Sequence, residues 1–342
     1  MKKIVMATML AATTMVASAQ VSWFGIVDAR YAVGNGSTSN VTALRNSGMA
    51  SSRLGLRGSE TIRNDMKASF WLEASLNNDD GTGSTSSVQN QDQSAAAIGT
   101  QGLTFNRRST VSLESSRFGE LRLGRDYTPQ FWSETVFDPF GTQGIGQNVA
   151  FNKGGNTGVR ASNSVGWLSP SVGGLAIWAQ TYMGENASTT ASVGNGNAYR
   201  ISFDKNAISL AYANSKTTTG ATSTNETSNI AGSYDLKVAK LMAMKTTTKN
   251  TNAADINGRL VGATAPAAGG TLRVSYGQTE QAGKTAKKTS IGFVNPLSKR
   301  TDVYVTYATI DNSGGSTTAL NGAVTGANKS SSGYDIGIKH SF

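Results

Sequence analysis

The chain has 342 residues, no cysteine, a single histidine and a formal net charge of +10. Those counts exclude a disulfide framework, thiolate catalysis and a metal centre rich in Cys or His. They imply no cofactor and leave a basic protein held together by backbone pairing and burial.

The chain opens with Lys2 and Lys3, then an apolar or small run from Ile4 to Val16, then Ala17-Ser18-Ala19. These are the three parts of a secretory signal peptide in their usual order. Residues 1–19 are therefore expected to be cleaved, leaving 20–342 as a single domain with Gln20 at its start. Loss of Lys2 and Lys3 lowers the net charge from +10 to +8. Export makes nucleic acid a poor partner and points the basic charge toward anionic surfaces or solutes. No later run reaches the ~18 apolar residues of a membrane helix. That says little against a transmembrane barrel, whose strands turn only alternate side chains to lipid.

Past the leader the dominant pattern is period-two alternation in segments of about ten residues, the mark of half-buried strands. In Ser52–Glu60 (SRLGLRGSE), Leu54 and Leu56 oppose Arg53, Gly55 and Arg57. In Lys67–Leu76 (KASFWLEASL), Ala68, Phe70, Leu72 and Ala74 oppose Lys67, Ser69, Trp71 and Glu73. Tyr199, Ile201 and Phe203 oppose Arg200, Ser202 and Asp204, and Leu272, Val274 and Tyr276 oppose Arg273 and Ser275. Val303–Thr309 repeats the pattern, whereas Val238–Lys245 alternates poorly.

Short and long connectors take turns between these segments. Short ones lie near Thr61–Asp65, Ser116–Gly119, Ser169–Gly174, Lys205–Asn206, Asp235–Lys237, Ala265–Gly270 and Asn295–Arg300. Long, polar ones rich in Gly, Ser, Thr and Asn lie near 34–50, 78–101, 128–157, 185–196, 217–227, 249–255, 279–288 and 311–332. Together they separate sixteen strands. The predicted fold is all-β: a 16-stranded antiparallel transmembrane β-barrel with short periplasmic turns and long outer loops. At that strand number the barrel encloses a water-filled lumen. The C-terminal YDIGIKHSF sets Tyr334, Ile336, Ile338 and Phe342 on one face and ends on the aromatic.

Several segments together resemble the Gram-negative general porin family, in its β-proteobacterial branch of trimeric, anion-selective members. They are VSWFGIVDAR at 21–30, SRLGLRGSE at 52–60, FGELRLGRDYTP at 118–129, RASNSVGW at 160–167, LSKRT at 297–301 and the terminal Phe342. The resemblance spans essentially 20–342. It implies a homotrimer in the Gram-negative outer membrane and an inward-folded third loop that narrows each pore. It also implies a terminal aromatic, Phe342, read by the outer-membrane assembly machinery, and passive diffusion of small hydrophilic solutes as the function.

Thr128 to about Thr157 is long, without alternation and rich in aromatics (Phe131, Trp132, Phe137, Phe140 and Phe151). Such a loop is functional more often than floppy, and its FDPFG resembles the family's constriction-loop tip. By parity Arg53, Arg57 and Arg160 point into the lumen, as does one of the adjacent Arg107 and Arg108. Arg125 falls on the lipid side by parity, yet the resemblance implies that it lines the constriction, which a β-bulge would allow. Across the pore, Glu134 and Asp138 are expected to face this basic wall. An arginine wall opposite loop carboxylates gives a transverse field that favours anions.

An enzyme would need a nucleophile with a base, and His340 lies on the lipid-facing side at the membrane edge. The rival readings are a substrate-specific channel, for which Trp71 alone suggests an aromatic slide, and a barrel adhesin with no need of a lumen. Lys216, Lys249, Lys284, Lys287 and Lys288 are expected in or near outer loops, where they would meet lipopolysaccharide phosphates.

Overall fold

The structure is a computed structural model and describes residues 20–85, 103–150, 157–186 and 192–342. The expected signal peptide and Phe151 lie outside these residues. The strands in chain order are β1 (Gln20–Asn35), β2 (Val41–Asn46), β3 (Arg53–Arg63), β4 (Met66–Asn77), β5 (Thr82–Gly83), β6 (Arg108–Ser115) and β7 (Gly119–Tyr127). Helix α1 (Pro129–Val136) follows. Then come β8 (Arg160–Leu168), β9 (Leu175–Tyr182), β10 (Gly196–Lys205), β11 (Ile208–Thr218), β12 (Thr224–Asp235) and β13 (Lys240–Asn250). The last five are β14 (Ala253–Ala267), β15 (Gly270–Gln281), β16 (Lys284–Pro296), β17 (Thr301–Ser313) and β18 (Ser331–Ser341).

All belong to one antiparallel 18-stranded sheet. Sixteen are the staves of a closed barrel; β2 and β5 are short strands folded back within the first two outer loops. Each stave pairs with its neighbour in sequence, and β1 closes the ring by pairing with β18 from Ile26↔Ser341 to Asn35↔Ser332. Closure gives every stave a neighbour on both sides and leaves no open edge, the condition for a sheet in lipid.

Alternation sets the two faces. On β1, Trp23, Val27 and Tyr31 are exposed on the outside, while Asp28 and Ala32 are buried on the inside. Ile336, Ile338 and Phe342 are likewise exposed on the outer face. Phe342 ties its backbone to Gly25 in both directions, at 3.0 and 3.1 Å. A Cβ on Gly25 would lie 2.2 Å from the Phe342 ring, so the closing aromatic lies directly over a glycine.

Two expected outer loops are tight turns instead. Residues 251–252 and 282–283 alone separate the staves around them. Ala282 (φ 52°) and Gly283 (φ 78°) both take positive φ, as the two-residue hairpin turn that matches strand twist requires. Lys249, Lys284, Lys287 and Lys288 therefore sit on strands, and Lys288 is buried inside, donating to the Gln147 carbonyl at 2.7 Å. The polar composition that reads as loop belongs to staves running on above the lipid.

The weak alternation near Lys245 has a different cause. Met244 faces inward but meets no water, because Phe137 of the third loop packs on it with Ala211, Ala231 and Leu260. Farther along, Ile145 packs against Ala286, Ala308, Ile310 and Leu320. The third loop thus crosses the lumen and beds against the far wall on two apolar patches. Small wall residues make the room: a Cβ on Gly262 would come within 2.5 Å of Pro139.

One irregularity positions the pore wall. The β7–β8 register slips between Gly124 and Asp126, a bulge. Gly124 sits at φ 121°, with the Ser109 carbonyl 2.1 Å from where a Cβ would be. Gly124→Ala should cost about 1–3 kcal/mol and lower the temperature at which the folded barrel unfolds in SDS; an unchanged midpoint would show that the bulge carries no constraint.

Candidate pore constriction

Cavities lie on both sides of the third loop. The outer one, of about 590 Å³, lies between the loop tip, the eighth loop and the β1, β7, β8 and β16 walls. Arg30, Arg107, Arg160 and Lys288 enter it, and no Asp or Glu is among its described lining residues. The Tyr127 hydroxyl accepts from Arg107 Nη2 at 2.8 Å and from Arg160 Nη2 at 3.0 Å. The Arg160 guanidinium also lies 4.5 Å over the Tyr127 ring. Its Nε has no partner among the described residues.

The inner cavity, of about 690 Å³, lies on the short-turn side of α1. Arg53, Arg108, Arg122 and Arg200 enter it, with Glu73 and Asp126 as its carboxylates. Glu73 is engaged by Arg107 at 2.5 Å and Arg53 at 3.6 Å. Arg122 reaches Asp126 at 2.5 Å and Glu120 at 2.7 Å, and Arg108 lies 3.8 Å from Asp126. Arg57 points into the lumen against the Phe24 and Trp71 rings, 5.3 and 5.1 Å away.

The sequence places these arginines unevenly. Arg53, Arg57 and Arg160 lie where parity puts them. Arg107 and Arg108 both reach the lumen, because Arg107 precedes β6 and is free of its alternation. Arg125 does not line either cavity: the bulge turns its guanidinium to the Asn106 carbonyl at 2.6 Å and Ser162 Oγ at 2.8 Å. Arg30 and Arg122 also enter the cavities, Arg122 lying between the outward Leu121 and Leu123, and Arg200 stands on the polar face that alternation assigns it.

The loop carboxylates also depart from expectation. Asp138 is 4% exposed. It accepts the backbone N–H groups of Phe140 at 2.9 Å, Thr142 at 3.1 Å and Asn148 at 2.9 Å. Burial pushes its carboxyl above the ordinary carboxylate range, against those three donors. Glu134 is buried on α1, 2% exposed. Neither lines the cavities, so Asp138 serves to fold the loop. The acids facing the arginines stand on the wall itself.

Two further carboxylates pin loops to the wall. Buried Asp28 accepts the backbone of Gly48, Met49 and Ala50 at 3.1, 2.8 and 2.7 Å, holding the first loop. Buried Asp335 takes Ile145 N at 2.8 Å, Asn321 Nδ2 at 2.8 Å and the Arg30 guanidinium, so it joins the third and eighth loops.

A closed sixteen-stave barrel with a loop bedded across its lumen agrees with the comparisons. The profile of the Gram-negative porin family matches residues 7–315. The chain belongs to that family. It is 34% identical to outer membrane porin protein 32 of Delftia acidovorans over the whole of both chains. Among solved structures it resembles the anion-selective porin from Comamonas acidovorans, with a TM-score of 0.82, 31% identity and coverage of 95% of this chain and 100% of that one. It shares the fold alone with Salmonella typhi OmpF, at a TM-score of 0.69, 16% identity and coverage of 95% and 98%. The chain is an outer-membrane porin, a water-filled channel for passive diffusion.

Asp138→Ala should leave three buried N–H groups without an acceptor, at about 1–3 kcal/mol each. Its single-channel current should be noisier than wild type and liposomes carrying it should admit larger sugars; identical noise and size cut-off would show that Asp138 does not hold the loop.

Proposed function

We propose that this porin prefers anions, and that Arg107 and Arg160, with Arg30 and Lys288, supply the preference at the outer face of the constriction. The observation that carries the reading is a cavity entered by four cationic side chains and by no described carboxylate. Low-dielectric walls focus such a field into the lumen. Guanidinium groups suit the task because they stay charged at any working pH and are weakly hydrated, so an anion is drawn in and released. Arg53, Arg57, Arg108 and Arg122 extend a basic path inward, moderated by Glu73, Glu120 and Asp126. The likeness to an anion-selective porin supports the same reading.

In this account the chain is exported by residues 1–19, works without catalysis or cofactor, and assembles as a homotrimer. Phe342, exposed at the barrel seam, is available to the assembly machinery. Outward Lys216, Lys245, Arg259 and Lys287 on the upper staves suit the phosphates of lipopolysaccharide.

A KCl gradient across a planar bilayer tests the proposal. The zero-current potential should carry the sign of chloride permeation, and Arg107→Ala with Arg160→Ala should shrink it. A cation-type sign in the wild type would overturn the proposal, and an unshifted potential in the double variant would move the field to other residues. The preference should also fade between 0.1 M and 1 M salt, as the screening length falls from about 10 Å to about 3 Å; a salt-independent ratio would rule out a through-space field.

A further inference from the structure

Beneath the loop the inner cavity combines aromatic faces with guanidinium groups in a way that anion selectivity alone does not call for. Phe24 and Trp71 pack with ring centroids 4.9 Å apart and planes tilted by 59°. Arg108 lies 4.8 Å over Trp71, on the same ring as Arg57. Trp178 stands on β9, four staves from Trp71, and Arg122 of β7 lies 5.9 Å over it. Trp132, 40% exposed on α1, closes the cavity from the loop side. Three tryptophans from three separate elements therefore converge on one water-filled space, and two of them are capped by arginine.

A second observation concerns charge: four guanidinium groups, of Arg53, Arg108, Arg122 and Arg200, enter this cavity against two carboxylates. The cavity's own acids are engaged elsewhere: Glu73 by Arg107 and Arg53, Asp126 by Arg122 and Arg108.

From this geometry we infer that the inner cavity is a transient binding station for planar aromatic carboxylates of the benzoate type. The inference rests on the anion preference proposed above and adds a solute class to it. A guanidinium that caps an indole can also stack on a ligand ring and hold its carboxylate through its N–H groups. A small inorganic anion would use only the guanidinium groups and would leave the three indole faces without a role. A neutral sugar would use the rings but not the excess of cations. A volume of about 690 Å³ admits a single-ring solute together with water, so passage is slowed rather than stopped.

The test is a titration of the chloride current through the full-length porin in a planar bilayer. Benzoate is compared with cyclohexanecarboxylate, which has the same charge and nearly the same size but no π-face. Benzoate should reduce the current at a concentration about fivefold lower, the scale of one aromatic–guanidinium stack. In Trp132→Leu with Trp178→Leu the ratio of the two half-blocking concentrations should fall to about one, judged within that variant. Equal potency in the wild type would overturn the inference, as would a ratio that survives in the double variant. Because the wild-type comparison decides alone, the inference stays testable even if the variant folds poorly. The KCl zero-current potential, read in the same membranes, separates the two failures: a cation-type sign refutes the anion reading, while an anion-type sign with equal potency refutes only the station.

Discussion

In the hydrocarbon layer each unpaired backbone N–H or C=O costs several kcal/mol, so a spanning sheet must have no edge. The seam between β1 and β18 meets that requirement, and everything else in the molecule is arranged around a ring that is already closed. The seam is finished at the level of single residues: Phe342 exchanges backbone bonds with Gly25 and lays its ring where a side chain on residue 25 would otherwise stand. Closure fixes register, and register decides which side chains see lipid and which see water. The arginines can stand inside the membrane only because that second face is wet.

A ring of this size would be a plain hole without the third loop. The loop lies down because the wall beneath it is built to receive it, with small residues and apolar patches in place of the usual polar lumen lining. Buried carboxylates then fasten the irregular segments. Asp138 ties the loop to itself, Asp335 ties it to the eighth loop, and Asp28 holds the first. These acids accept backbone N–H groups, and Asp335 also pairs with Arg30, so it offsets part of the charge at the outer cavity. The cationic lining of the outer cavity comes from where Arg30, Arg107, Arg160 and Lys288 stand, with no described carboxylate in the lining itself.

Much of the fold was legible in the sequence, because a stave that faces lipid on one side must alternate and a hairpin must turn. The alternation in 52–60 and 67–76 gave the inward positions of Arg53, Arg57, Trp71 and Glu73. The same reasoning failed where the lumen face was dry: Met244 breaks the pattern because the loop covers it. It also overestimated the sixth and seventh outer loops, since staves above the lipid are polar on both faces and read like loop. In the pore, residues outside strand alternation could not be placed by parity. Arg107 precedes a strand, Arg125 sits at a bulge, and the loop acids answer to local backbone geometry. The convergence of Trp71, Trp132 and Trp178 links positions distant in sequence and becomes visible only in three dimensions.

The central claim is that this ring encloses water along its whole length despite the loop across it. The most direct measurement is single-channel recording of the purified, folded chain in symmetric KCl. The account predicts discrete current steps that scale linearly with voltage around zero. Insertion of folded barrels with no current steps would contradict it, since it would mean that the loop seals the lumen.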